Sequence, residues 1–258
     1  MIYDSFLSAR PLEESSHMVS ICSIGTGTGG DLLGLILAIK KHLPSCRSIN
    51  IVSVEGNEIA HRLMQEIISR TQNRIKMQIY CTPITYEFRT DLFNPIHNFL
   101  AQEQKSFDFV ISSKMMNELI QKGMSNAPYY AYLDTFSKFL NDCGTLLILD
   151  ITTSVDSTEQ WYPNLLNGQV NKFVSDRPEY KTILPLACYE FEDACHCDCY
   201  SQNTIRVSHR HSTNEPSKIC YRLIGKRSLA QRISSSVALW SCPITKNNKE
   251  HCSAFANR

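Results

Sequence analysis

No uninterrupted apolar run of about 18 residues occurs anywhere in the 258-residue chain, so no membrane-spanning helix is expected. The amino-terminal stretch "MIYDSFLSARPLEESSH" lacks both the basic start and the apolar run of a secretory signal. Together these absences give the expectation of a cytoplasmic protein with reduced thiols. Its eleven cysteines are therefore not read as a disulfide framework, and Cys22, Cys46, Cys81 and Cys143, in or near apolar runs, are expected to be small buried hydrophobes. A charge excess is lacking too. With 26 basic and 25 acidic side chains the net charge is +1, which gives no general electrostatic reason to expect nucleic acid. Internal repeats and long low-complexity tracts are absent.

What remains is a chain that is 43% hydrophobic, enough to fill a sizeable core, in which strand and helix patterns alternate. "MVSICSIG" (18–25), "INIVSVEG" (49–56), "RIKMQIYC" (74–81), "FDFVISS" (107–113) and "GTLLILDIT" (144–152) read as strands, with "ITYEFRTDLF" (84–93) extending the third or adding a turn. "DLLGLILAIKKHL" (31–43) reads as a well-buried helix, with Leu32, Leu35, Ile36 and Ile39 on one face and Leu33 and Leu37 widening it. "NEIAHRLMQEIISRTQ" (57–72) reads as an amphipathic helix with Ile59, Leu63, Met64 and Ile67 inward. "KMMNELIQKG" gives a short helix, and "YYAYLDTFSKFLNDCG" (129–144) one closed by Gly144. Strands separated by helices of this length imply right-handed crossovers. "IRVSHRH" (205–211) and "KICYRLIGKR" (218–227) are joined by a connection that permits only antiparallel pairing. The fold expected is α/β: a doubly wound, mostly parallel seven-stranded sheet ending in an antiparallel hairpin, with helices on both faces. Residues 1–233 form this domain, with 152–203 as a lid or insertion, and 234–258 as a loosely ordered basic tail.

In such sheets, ligands sit outside the carboxyl ends of the strands. The candidate polar residues (Gly25 to Asp31, Glu55, Asp91, Ser112, Ser113 and Asp150) all fall at those ends. The loop "ICSIGTGTGGDLLG" fits two ligands. Gly25-x-Gly27-x-Gly29 suits the methionine end of S-adenosylmethionine; Gly25-x-Gly27-x-x-Gly30 suits a dinucleotide pyrophosphate. Glu55, at the end of the second strand, is expected to hold a ribose in either reading. Asp91 in "TDLF" and the closing hairpin favour the first.

With these motifs in order over about 18–152, the chain resembles the class I S-adenosylmethionine-dependent methyltransferases. The resemblance implies an enzyme that moves a methyl group to an acceptor not named by the sequence. Gly25, Thr26, Gly27 and Gly29 would line the methionine part, with Asp31 just beyond. Glu55 and Gly56 would stand at the ribose, Asp91 would accept from the adenine amine, and Leu92 would pack on the ring. Ser112 and Ser113 would face the sulfonium and the substrate, and Asn117 and Glu118 follow closely enough to face the substrate as well. "ISSKMMNEL" is not the Asn/Asp-Pro-Pro-aromatic motif that orients planar amines, and it holds no Pro-Cys for attack on cytosine. Ser23 stands where the family commonly carries an acid, two residues before the first glycine.

Two features lie outside that scheme. In "ACHCDCYSQ", Cys195, Cys197 and Cys199 would share one face of a strand, as would His209 and His211 on the next, a set able to hold zinc although its spacing matches no familiar zinc motif. From Lys218 to Arg258, eight basic residues stand against Glu250 alone. The competing expectation is a non-catalytic module on the same fold that uses this segment to bind RNA, as at a ribosome, or an acidic partner.

Overall fold

A computed structural model describes residues 2–8, 17–155, 160–184, 203–209 and 212–236. Six strands and most of the helices lie in the order α1 (Ile2–Ser8), β1 (Met18–Ile24), α2 (Gly30–His42), β2 (Ser48–Glu55), α3 (Glu58–Ile75), β3 (Gln78–Thr85), α4 (Asn94–Gln102), β4 (Phe107–Ser113), α5 (Met116–Gln121), α6 (Pro128–Phe136), β5 (Leu140–Ile151), α7 (Tyr162–Asp176) and β6 (Tyr180–Leu184). The chain then adds β7 (Asn203–His209), β8 (Ser212–Lys226) and α8 (Arg227–Ser236). Seven strands lie side by side as β3-β2-β1-β4-β5-β8-β6, with β7 paired to β8 alone. The pairs β1–β2, β1–β4, β2–β3 and β4–β5 are parallel, whereas β8 runs antiparallel to both β5 and β6. This is the doubly wound, mostly parallel sheet expected, with β7 and β8 as its antiparallel hairpin.

Two apolar clusters fill the faces of the sheet. Val19, Ile21, Ile49, Ile51, Phe109 and Ile111 pack under α1, α2, α3 and α8; Cys22, Ile24, Val52, Val54, Val110 and Ile148 pack under α4 to α7. Successive residues of a strand alternate between the clusters because side chains alternate across a sheet, and both faces are covered because the crossovers place helices on both.

Several expectations are corrected. The 152–203 stretch is not wholly a lid: its first half is the crossover helix α7 and the edge strand β6, each part of the domain core. Helix α6 ends at Phe136, and β5 begins at Leu140 rather than 144. Gly144 is no helix terminator. A Cβ there would lie 2.6 Å from the Phe107 carbonyl oxygen, so glycine is required by close strand approach at an irregularity in the β4–β5 register. On α3 the buried residues are His61, Met64 and Ile68, while Ile59 is 77% and Leu63 45% exposed. The helix is rotated to this setting by two specific contacts: His61 shares a 2.8 Å hydrogen bond with Ser53, and Met64 packs beneath Gly29. Leu37 on α2 is 48% exposed, so that helix is less enclosed than expected. Cys22 and Cys46 are buried; Cys81 and Cys143 are half-buried. Helix α8 runs to Ser236, three residues into the stretch expected to be a loose tail. Residues 237–258 lie outside the described residues.

Asn57 caps α3, its side chain accepting hydrogen bonds from the Ile59 and Ala60 amides at 3.0 and 3.1 Å. Asn57→Ala leaves both amides without that partner and is expected to lower stability by about 1 kcal/mol, read as a shift of the urea midpoint at unchanged slope.

Candidate functional site

The direction of the strand order reverses between β1 and β4, and the crevice at that point opens into a pocket of about 630 Å³. Its walls come from four strand ends: Gly25 and Gly27 after β1, Glu55 to Asn57 after β2, Glu87 and Phe88 after β3, and Ser113 to Met115 after β4. Glu118, Leu119 and Lys122 from α5 and its end, with Met124, close the side.

The β1–α2 loop is fixed by hydrogen bonds that its own sequence supplies. The amides of Gly25 and Thr26 donate to the Val54 carbonyl at 2.9 and 3.1 Å, and the Thr26 hydroxyl donates to the Ser23 carbonyl at 3.0 Å. The three glycines have left-handed backbone angles, φ +67°, +54° and +81°, where other residues are strained. Their surroundings differ. A Cβ on Gly25 would lie 2.7 Å from the Met115 sulfur, and one on Gly29 would lie 2.5 Å from Met64 Cγ. A Cβ on Gly27 would meet no protein atom within 4 Å. Gly25 and Gly29 are packing positions, and Gly27 faces the open pocket.

Glu55 ties the two loops together. One carboxylate oxygen accepts from the Gly27 amide at 2.6 Å and the other from the Asn57 amide at 2.9 Å. Each carboxylate oxygen has a second acceptor direction left over, so the group can still receive hydroxyl protons from a ligand.

A buried polar network supports the β4 side of the pocket. Asp150, wholly buried near the end of β5, accepts from the Tyr129 hydroxyl at 2.8 Å, the Asn117 amide at 3.1 Å and the Ile151 amide at 2.8 Å. With its amide turned so that nitrogen faces these acceptors, the orientation the surrounding groups require, Asn117 donates to Asp150 at 2.7 Å and to the Lys114 carbonyl at 2.8 Å. Burial pushes the Asp150 carboxyl up to about 6, against the downward pull of these donors. Burial and the adjacent Asp150 also push Tyr129 upward, so it stays a neutral donor. The network anchors the start of α5, which carries Met115 against Gly25 and Glu118 into the pocket wall.

Of the candidate residues, Gly25, Gly27, Glu55, Gly56, Ser113 and Glu118 come together around this pocket. Thr26 and Gly29 hold the loop instead of lining the pocket. Asp91 does not line it either: six residues past the end of β3, its carboxylate accepts from the Tyr86 hydroxyl at 2.8 Å. Leu92, with φ +47°, packs against the core on the α4 to α7 side. At that end of the pocket stand Glu87 and Phe88, two and three residues past β3 and missed from sequence. Asn117 is 7% exposed, serves the Asp150 network and does not line this pocket. Asp31 and Ser112 line a second, smaller cavity. Ser23 is 3% exposed within β1, beside Ser53 and Ile111 in the strand register. An acid there would be buried between these strands, outside the pocket lining.

Among the described residues no group of three His, Cys, Asp or Glu side chains is placed to hold a metal ion. Cys195, Cys197, Cys199 and His211 lie outside the described residues, and His209 ends β7. No helix among the described residues is long and apolar enough to cross a membrane.

No family model matches the chain, and no curated protein does. Among solved structures, similar chains include a putative class I S-adenosylmethionine-dependent methyltransferase from Listeria monocytogenes, 12% identical, with a TM-score of 0.43 over 97% of this chain and 63% of that one. The methyltransferase subunit of a type I restriction-modification system from Streptococcus thermophilus is 12% identical, with a TM-score of 0.47 over 87% of this chain and 43% of that one. The glycopeptide N-methyltransferase MtfA is 9% identical, with a TM-score of 0.45 over 86% of this chain and 94% of that one. A human methyltransferase 10 domain containing protein is 8% identical, with a TM-score of 0.45 over 87% and 80%. The chain spans less than half the length of the restriction-modification subunit.

Proposed function

We propose that the chain is an S-adenosylmethionine-dependent methyltransferase whose donor lies in the pocket over β1, β2, β3 and β4. The observation that carries this is the pair Gly27 and Glu55: a glycine whose missing side chain leaves open pocket, held by the one carboxylate at the end of β2. A ligand lying along the loop needs that opening, and one bearing a ribose needs that acceptor. The pocket's charges suit it as well. Glu55, Glu87 and Glu118 face Lys114 and Lys122, a lining with one carboxylate in excess; S-adenosylmethionine carries one net positive charge. When bound, it supplies a methyl group on cationic sulfur that a nucleophile displaces, leaving a neutral thioether. The protein's part is positioning, which provides most of the acceleration in a transfer of this kind. Gly25 to Gly27 would hold the methionine part, Glu55 the ribose, Glu87 and Phe88 the adenine edge and face, and Ser113 the region next to the reacting methyl.

Isothermal titration with S-adenosylhomocysteine tests the reading. Saturable binding is expected, and no heat at millimolar ligand would sink it. Glu55→Ala is expected to weaken that binding by at least about tenfold, equivalent to about 1.4 kcal/mol. Because the variant also frees the Gly27 and Asn57 amides, its melting curve is recorded beside the titration to separate lost affinity from lost fold.

A further inference from the structure

A second cavity, of about 200 Å³, meets the first at Ser113, which lines both. Its floor is the α1/α2 face of the sheet: Ile111 beside Leu147, Ser113 beside Leu149, and Ile219 on β8. Ile2 and Tyr3 of α1 form one wall, and Gly30, Asp31, Gly34 and Leu35 of α2 the other. The two glycines are one helical turn apart, and a Cβ on either would meet no atom within 4 Å. Gly30, Asp31 and Gly34 are exposed, so the groove opens to solvent along α2, where two side chains are omitted. The Ser113 hydroxyl, on this face of the sheet, is buried and has no hydrogen-bond partner among the described residues. An unpaired buried hydroxyl is unfavourable, and at the junction of two cavities a ligand can satisfy it.

We infer that this cavity receives the methyl acceptor, and that the acceptor enters it as one planar, uncharged ring or ring pair carrying a neutral nucleophile. This rests on the donor reading above. Size sets the first limit: an apolar cavity of roughly 150 Å³ takes a benzene ring, so the part of the acceptor seated here is little larger. Lining sets the second. Most of its residues are apolar, no lysine or arginine lines it among the described residues, and nothing in it matches a phosphate. Asp31 is the one carboxylate that lines it. In the transfer, the acceptor's lone pair forms the new bond to the methyl carbon, and the carbon–sulfur electron pair stays on sulfur. The acceptor's proton passes to the Asp31 carboxylate. Tyr3 does not compete for it as a phenolate, because burial holds its hydroxyl well above the usual range.

The test is a titration of the 15N-labelled full chain with phenol and with indole, each with and without S-adenosylhomocysteine. Adenosine monophosphate serves as the nucleotide arm, and N-acetyltyrosinamide as the arm for a ring presented by a polypeptide. Saturable shifts of the Gly30, Gly34 and Ser113 amides with phenol or indole are expected. Gly34→Leu places a side chain where the cavity is open and is expected to weaken probe binding by at least about tenfold. Affinity of that variant for S-adenosylhomocysteine should stay within about twofold, since Gly34 lies outside the donor pocket. If the leucine variant does not fold, Gly34→Val repeats the experiment. A stronger response to N-acetyltyrosinamide than to phenol supports the same chemistry with a polypeptide source. Unaltered probe binding in the filled variant overturns the inference, as does a response to the nucleotide alone. Absence of S-adenosylhomocysteine binding in the unsubstituted chain sinks the donor reading instead, a result separable from the probe shifts.

Discussion

Asp150→Ala is expected to lower stability by about 3 kcal/mol at pH 8, among the largest single effects available in this chain away from the apolar core. The carboxylate receives the Tyr129 hydroxyl and the amides of Asn117 and Ile151 in a site with no water access. Removing it leaves those buried donors unpaired, which outweighs the relief of no longer desolvating a charge. The pH dependence identifies the cause. The folded-state carboxyl is raised to about 6 from an ordinary value of 3.8, so the folded state takes up a proton before the unfolded state does. The burden of the buried charge is fully present above pH 6 and is relieved as pH falls toward 4. Between pH 8 and pH 5 the unsubstituted protein should gain about 1 kcal/mol from this group, and Asp150→Ala should not. Urea unfolding of both proteins at the two pH values measures this: the gap between them should widen at pH 5, and a gap that narrows rules out the assignment.

The second large effect is expected at Gly25. Its Cβ position is occupied by the Met115 side chain, at 2.7 to 2.9 Å from three atoms, and its φ is +67°. Gly25→Ala therefore meets two penalties, one steric and one in the backbone. The steric one can be relieved. Met115→Ala alone loses a buried side chain and is expected to destabilise by about 2–3 kcal/mol. The double variant should be less destabilised than the sum of the singles, by about 1–2 kcal/mol, because the truncated side chain makes room for the new methyl group. The backbone part stays, so S-adenosylhomocysteine binding should remain weakened in the double variant. Strict additivity would show that Met115 and Gly25 are not in contact as described. The pair ties the β1–α2 loop to the start of α5, and through Asn117 to Asp150.

How much of this was legible in the chain differs by element. β1, β2 and β4 are short β-branched runs bounded by glycine or polar residues, and their limits were readable to within about one residue because both faces are buried. β6 was hidden. It is a five-residue edge strand whose partner lies far along the chain, and nothing local marks it. The α3 face was misread because hydrophobicity alone put Ile59 and Leu63 inward. The helix is instead set by a histidine that finds a serine and a methionine that finds a glycine, and both pairings are long-range. The same division runs through the site. Gly25, Gly27 and Glu55 sit at strand ends that periodicity locates. The end of β3 was blurred in the sequence; the strand ends at Thr85, which puts Glu87 beside Gly56 and leaves Asp91 six residues beyond the strand. Met115 gave no sequence signal beyond being apolar.

The placement of β8 has a consequence for how the chain is made. Its residues Ile219 to Gly225 fill the space between β5 and β6, although both of those strands precede it. During synthesis β5 and β6 emerge with no partner on their facing edges, and about 35 further residues must follow before the intervening strand exists. Until then the growing chain presents two open, apolar strand edges, the surfaces most prone to wrong pairing. Completion of the sheet is thus a late, C-terminal event. A ribosome stalled before residue 219 should hold a chain whose β1 to β4 half can pair, while Tyr180 to Leu184 remains open to protease.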